Sequence, residues 1–288
     1  MMGLPGTFSA LHFGTAGLPR EEDGGIDYAK GLAQLKSAGL STLELEFVQQ
    51  VHLDLASATE VGRLAVENSV HLSAHAPYYV NLASLERPKV HASISRIVKA
   101  AKSLQAARGH SVVFHAAFYQ GRPADDVYAL VAKAFEELEA ALAKADVSVW
   151  VRPELTGKPT QFGNPDELIR LSREFETVLP CIDFSHLHAR TDGAYNTVAE
   201  WDRLLDTLES GIPKEKQVMR RMHMHLSGID YGAKGERKHL PLKESDIEYL
   251  ELMRLLKKRG ICGTLICEAP RETLISDALL MCEAYRGA

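Results

Sequence analysis

Eight short apolar runs, separated for the most part by longer amphipathic stretches, constrain this chain more than any other feature. The runs are "ALHFGTAG" (10–17), "TLELEF" (42–47), "VHLSAHAP" (70–77), "SVVFHAA" (111–117), "VSVWVRPEL" (147–155), "VLPCIDFSH" (178–186), "RMHMHLSG" (221–228) and "GTLICEAP" (263–270). Between them lie "IDYAKGLAQLKSAG", "VHASISRIVKAAKSLQA", "ADDVYALVAKAFEELEAALAKAD", "NPDELIRLSREF", "TVAEWDRLLDTLES" and "DIEYLELMRLLKKRG". These repeat apolar residues at three- and four-residue spacing, the pattern of a helix with one buried face. Asn164 and Ser245 occupy cap-like positions, and Gly39, Gly109 and Gly260 mark helix ends. Strand–helix alternation favours a parallel sheet, and the chain is long enough for a closed (β/α)8 barrel, which takes roughly 250 residues. No GxGxxG follows the first run, so an open dinucleotide-binding sheet gains no support. The expectation is an α/β fold, a single (β/α)8 TIM barrel over residues 1–288 with no linker dividing it.

Composition excludes several classes. With 45% hydrophobic and 25% charged residues the chain is ordinary globular protein. A formal net charge of -5 supplies no bulk basic field to gather nucleic acid or anionic membrane. The four cysteines (Cys181, Cys262, Cys267, Cys282) form no CxxC pair and read as reduced thiols. The N-terminus lacks the pattern of a signal peptide, and no run approaches the ~18 apolar residues of a membrane span. A cytoplasmic protein without a membrane partner is expected.

Six consecutive strands finish on a histidine or an acid. His75 ends the third, His115 the fourth and Glu154 the fifth. Asp183 ends the sixth with His186 beyond it, His225 lies near the end of the seventh, and Glu268 ends the eighth. In a barrel, the C-terminal ends of all strands meet on one face, where active sites are built. Imidazole nitrogen and carboxylate oxygen without thiolate suit Zn²⁺ or Mn²⁺, and this many ligands suggests two or more ions. A single histidine in an apolar run is more often a hydrogen-bonded core residue; recurrence at successive strand ends is what argues for metal, because so many buried unpaired groups would be costly without a cation. His223 shares a face with His225 and is expected to line the barrel interior or support the site from behind. His12, His52, His71, His91, His110 and His188 lack the strand-end position and are read as structural.

"HLSAHAPYYVNLAS" (71–84), "FHAA" (114–117), "PEL" (153–155), "CIDFSH" (181–186), "MHLSG" (224–228) and "CEAP" (267–270) together resemble, in order and over nearly the whole chain, the endonuclease IV family of DNA repair enzymes, within the xylose-isomerase-like superfamily. The resemblance implies a trinuclear zinc cluster that hydrolyses the DNA backbone on the 5′ side of an abasic site. It assigns His75, His115 and Glu154 to a first metal. Glu154 would bridge to a second held by Asp183, His225 and Glu268, and His186 would serve a third. It implies a monomer acting on DNA with an abasic or damaged nucleotide. The chain departs from the family in three ways. Where the family completes the third site with Asp-x-His, "GAKGERKHLPLKESD" (232–246) offers His239 and Glu236. Where the family inserts an Arg into DNA, the loop after the second strand has Gln49 and Gln50. Tyr78 does match the family's other inserted residue, and phosphate contacts fall to Lys234, Arg237 and Lys238.

Two other readings stand beside this one. A sugar isomerase or epimerase of the same superfamily uses one divalent metal, which Glu154, Glu268, Asp183 and His225 would hold, and moves a proton next to a carbonyl with two carboxylates. His75 and His115 are surplus to that chemistry. A non-catalytic barrel would leave the ligands unexplained.

Overall fold

The computed structural model describes residues 3–19 and 24–288. Eight parallel strands form one sheet. In chain order the first seven are β1 (Leu11–Ala16), β2 (Thr42–Glu46), β3 (His71–His75), β4 (Ser111–Phe114), β5 (Trp150–Pro153), β6 (Ile182–Asp183) and β7 (Met222–Leu226). A hairpin, β8 (Gly228–Gly232) and β9 (Gly235–Leu240), intervenes before the last barrel strand, β10 (Gly263–Cys267). The sheet runs β5-β4-β3-β2-β1-β10-β7-β6. The ring closes between its two ends: bridges pair Val151 with Val178 and Glu154 with Cys181, and Cys181 N–H donates to Pro153 O. The fold is therefore the expected TIM barrel.

Alternation along each strand builds two layers. In β2, Leu43 and Leu45 join the hydrophobic core against the helices, while Glu44 reaches the side chains of Ser73 and His223. In β7, Met222, Met224 and Leu226 pack in the core and His223 and His225 face the barrel interior. Register keeps the strand ends level, with Glu46 opposite His75 and Asp183 opposite His225. At the opposite pole, buried Arg152 stops the interior. Its Nε donates to Ser111 Oγ at 2.7 Å, and its terminal nitrogens donate to the carbonyls of Pro180 and Arg221 at 2.8 and 2.7 Å.

The helices are α1 (Tyr28–Ala38), α2 (Leu55–Glu67), α3 (Arg87–Ala106), α4 (Ala124–Lys144), α5 (Pro165–Glu174), α6 (Phe184–Arg190), α7 (Val198–Gly211), α8 (Tyr249–Lys258) and α9 (Leu274–Gly287). Asn164 caps α5 through a reciprocal pair with Glu167, and Gly39 ends α1 at a φ of 77°. Ser245 does not cap a helix: α8 begins only at Tyr249, behind Glu248. The sequence pattern passed over α2, α6 and α9. It also carried the sixth strand to residue 186, whereas β6 stops at Asp183. That carboxylate accepts from the His186 backbone N–H and turns the strand at once into α6. Residues 232–246, where none of the eight expected strands falls, carry much of the hairpin. Among the described residues no helix is long and apolar enough to cross a membrane.

Candidate metal centre

A hollow of about 360 Å³ opens at the C-terminal ends of the strands. Glu44, Glu46, His75, His115, Glu154, His186, Glu236, His239 and Glu268 all border it, with Asp183 and His225 directly beneath. Three groups of side chains each bring ligand atoms within 4.8 Å of one another: His75–His115–Glu154, Glu154–Asp183–His225–Glu268, and His186–Glu236–His239. All eight residues expected as ligands are thus brought together. A fourth grouping, Cys181–His223–His225, lies below, but His223 Nε2 is already engaged by Glu44 at 2.8 Å and its Nδ1 by Thr264 Oγ1 at 2.8 Å.

Glu154 is shared by the first two groups. Its Oε2 lies 3.0 Å from His75 Nε2 and 3.2 Å from His115 Nε2, while its Oε1 lies 3.0 Å from His186 Nδ1 and 3.5 Å from His225 Nδ1. One carboxylate thus faces two groups with separate oxygens. Burial would raise its pKa, but His115, His225 and His186 outweigh that and hold it well below the usual carboxylate range.

The histidine tautomers follow from their backbone partners. His75 Nδ1 faces Ala76 O at 2.8 Å, His186 Nδ1 faces Leu155 O at 3.1 Å, and His239 Nδ1 faces Glu268 O at 2.7 Å. A carbonyl only accepts, so each Nδ1 carries a proton and Nε2 is left for a ligand. This is how metal-binding imidazoles are held. Burial opposes charging His75, yet the Glu154 carboxylate raises it to about 10, so without metal a second proton sits on Nε2. A cation would take that proton's place. The fit to a metal shows also in what is left unpaired: Glu154 Oε1 and His225 Nδ1 are buried without an aligned hydrogen-bond partner, although His225 Nδ1 is 3.1 Å from Glu268 Oε1, while Nε2 of the same ring faces Glu44 Oε1 at 2.9 Å. Nitrogen and oxygen donors converging in this way suit Zn²⁺ or Mn²⁺.

The third group explains how the chain does without Asp-x-His. Three residues apart on a flat strand, Glu236 and His239 would point to opposite faces. Tyr231 pairs with Glu236 and Asp230 with Lys238, so Arg237 is an extra residue, a bulge. The bulge turns both side chains to the hollow, with Glu236 Oε2 3.7 Å from His186 Nε2 and His239 Nε2 3.9 Å from Glu236 Oε1.

The candidates for DNA contact divide. Tyr78 lines the mouth, its ring 5.6 Å from that of His75. Gln49, Gln50, Lys234, Arg237 and Lys238 are all exposed and none borders the hollow; Arg237 is drawn to Asp230 at 3.4 Å. The loop after β2 presents Val48 to the mouth, and the basic residues stand on the exposed surface of the hairpin, at its turn and along β9. The histidines read as structural stay outside the ligand groups, and His223 supports from below, as described.

Glu44 and Glu46 were missed. Both stand in the second strand, two residues apart and so on one face, a signal the alternation of "TLELEF" carries. Burial pushes the Glu46 carboxyl up to about 8, against the pull of His75 and with the help of Glu44 and Glu268.

Comparison with known proteins bears on this geometry. The family described as "Xylose isomerase-like TIM barrel" matches residues 32–285. An uncharacterized protein of Methanocaldococcus jannaschii is 39% identical over 96% of this chain and 97% of its own. Endonuclease IV from Thermus thermophilus superposes with a TM-score of 0.73 at 20% identity, covering 96% of this chain and 98% of that one. A D-tagatose 3-epimerase-like protein superposes at 0.71 and 16% identity, covering 96% of each. At such identities these two likenesses concern the fold alone.

Proposed function

The chain belongs to the xylose isomerase-like TIM-barrel family, and from that premise we propose that it is a metal-dependent phosphodiester hydrolase that incises DNA at abasic or otherwise damaged nucleotides. One observation carries this reading. Besides the four-residue group that a one-metal sugar enzyme would need, the barrel holds two histidine-rich groups, His75–His115 and His186–Glu236–His239, and Glu154 faces both sides. Zn²⁺ or Mn²⁺ bound there would supply activation of water and neutralisation of charge at a phosphoryl group. The chain's own residues do the rest. Glu154 holds two groups in fixed relation, the carbonyls of Ala76, Leu155 and Glu268 fix the imidazoles, and Tyr78 offers its ring at the mouth to a displaced sugar or base.

A second reading has its own observation. Glu154, Asp183, His225 and Glu268 alone make a complete four-ligand site, and the hollow is of a size for a single sugar. That arrangement suits a divalent-metal isomerase or epimerase, with two carboxylates placed to move a proton beside a carbonyl.

The deciding experiment is incision of a duplex oligonucleotide carrying one abasic site, with Zn²⁺ or Mn²⁺ supplied. The wild type is expected to cut on the 5′ side, and His115→Ala to lose about 100-fold or more, since even outer partners of a metal ligand cost roughly 10- to 100-fold. No incision by protein that retains two or more ions per chain would sink the nuclease reading, and epimerisation of ketohexoses would be assayed next.

A further inference from the structure

Among the described residues two carboxyls at the hollow, Glu44 and Glu46, stand outside the metal groups, and Glu44 is taken up by Ser73 and His223. Glu46 closes β2 level with His75, and its side chain lines the hollow. Its Oε1 is buried without a hydrogen-bond partner, yet its oxygens join none of the ligand groups among the described residues. A buried polar atom left unpaired costs free energy and calls for an explanation. Gly17, at a φ of +75°, lies against the Glu46 stem, and a Cβ there would come within 3.3 Å of Glu46 Cγ, so the absence of a side chain keeps space open beside the carboxyl. The same hollow has aliphatic walls, from Leu18, Ile26, Ala269 and Leu274, alongside its polar ones. A carboxyl in a hollow with aliphatic walls is the pairing that recognises a sugar ring, whose hydroxyls need a polar partner and whose C–H faces need an apolar one.

We propose that Glu46 is a substrate-binding residue that hydrogen-bonds a hydroxyl of a sugar ring whose phosphate lies at the metal groups, so that the site takes a sugar-phosphate unit. The inference rests on the phosphodiesterase reading for the position of the phosphate. The unit has two sources, an abasic nucleotide within DNA and a free sugar phosphate.

The test uses the full-length zinc-loaded protein and its E46A and E46Q variants on two probes, thymidine 5′-(p-nitrophenyl phosphate), which carries a sugar, and bis(p-nitrophenyl) phosphate, which does not. E46A is expected to lose at least about tenfold more kcat/KM on the first probe than on the second, mainly through KM, the scale of one hydrogen bond to a bound group. E46Q, which keeps a hydrogen-bonding head, should fall between, and the zinc content of both should match the wild type. Equal losses on the two probes, or loss of a zinc ion, would overturn the proposal. Hydrolysis of neither probe by the wild type would count against the phosphodiesterase reading alone. Calorimetry then decides: D-ribose 5-phosphate should bind the wild type more tightly than inorganic phosphate does, and E46A should abolish that margin. No margin in the wild type, or the same margin in E46A, overturns the proposal as well. Binding of an abasic oligonucleotide set beside D-ribose 5-phosphate separates the sources, according to which of the two E46A weakens.

Discussion

Glu44 reaches one side chain on the neighbouring strand β3 and two on β7 across the barrel: Ser73 Oγ at 2.7 Å, His223 Nε2 at 2.8 Å and His225 Nε2 at 2.9 Å. It is wholly excluded from solvent. Burial would raise its carboxyl, but His225 and His223 hold it well below the ordinary range, so it stays an anion. An anion against His225 Nε2 draws the ring proton there and leaves Nδ1 turned to Glu154 and Glu268, the arrangement that makes an imidazole a better ligand. Glu44→Gln, nearly the same shape without the charge, is therefore expected to weaken zinc about 10- to 100-fold in competition with a chelating dye. Unchanged affinity would reduce Glu44 to packing. The position was legible in "TLELEF", where alternation points two acids the same way. It was passed over because that strand ends in no histidine, and a carboxylate reveals its partners only when the strands from residues 73 and 223 are laid beside it.

The hairpin of β8 and β9 completes the third ligand group, and its bulge sets the aim of both ligands. With Arg237 looped out, Glu236 and His239 are spaced as if two residues apart. Deleting Arg237 would then leave Glu-x-His on a regular strand, both side chains still on one face. The deletion is expected to keep the metal content, while Glu236→Ala and His239→Ala each lose one ion per chain; elemental analysis of dialysed protein reads all three. Loss of metal on deleting Arg237 alone would contradict the bulge's role. The sequence offered His239 and Glu236 but no strand to carry them, because a bulge leaves no composition signature and turns an i,i+3 pair into neighbours. The strand ends were easier. His75, His115, Glu154, Asp183 and Glu268 each close an apolar run, and a parallel barrel gathers such ends whatever the loops do.

The barrel as a whole was readable because most of its β/α units carry their own periodicity. Its closure was not: β6 is two residues long, and the seam to β5 rests on isolated bridges that no local pattern announces. A second property of the whole lies at the N-terminal pole, where the rings of His12 and His71 approach to 4.4 Å and Phe8 packs on them and on His110. Burial, with His71 adding, lowers His12 to about 4; burial lowers His71 and, with His223 and Arg152, holds His110 well below its ordinary value. In the unfolded chain such groups titrate near ~6.5. Between those values the unfolded chain binds protons that the folded one refuses, so this contribution is intact above about pH 6.5 and is lost as the pH falls toward 4. The urea midpoint of the wild type should accordingly decline over that range more steeply than that of His12→Asn. Parallel curves for the two proteins would show that His12 takes no part.

Arg152, bound to Ser111 and to the carbonyls of Pro180 and Arg221, makes the barrel blind at its N-terminal end. Among the described residues the hollow over the cluster opens at the other end, beside Tyr78 and Glu46. A substrate seated there would stand between ions bound at the cluster and the solution, and so would guard them from scavengers for as long as it stayed. Residence at the doorway, rather than affinity at the cluster, would set the order of departure.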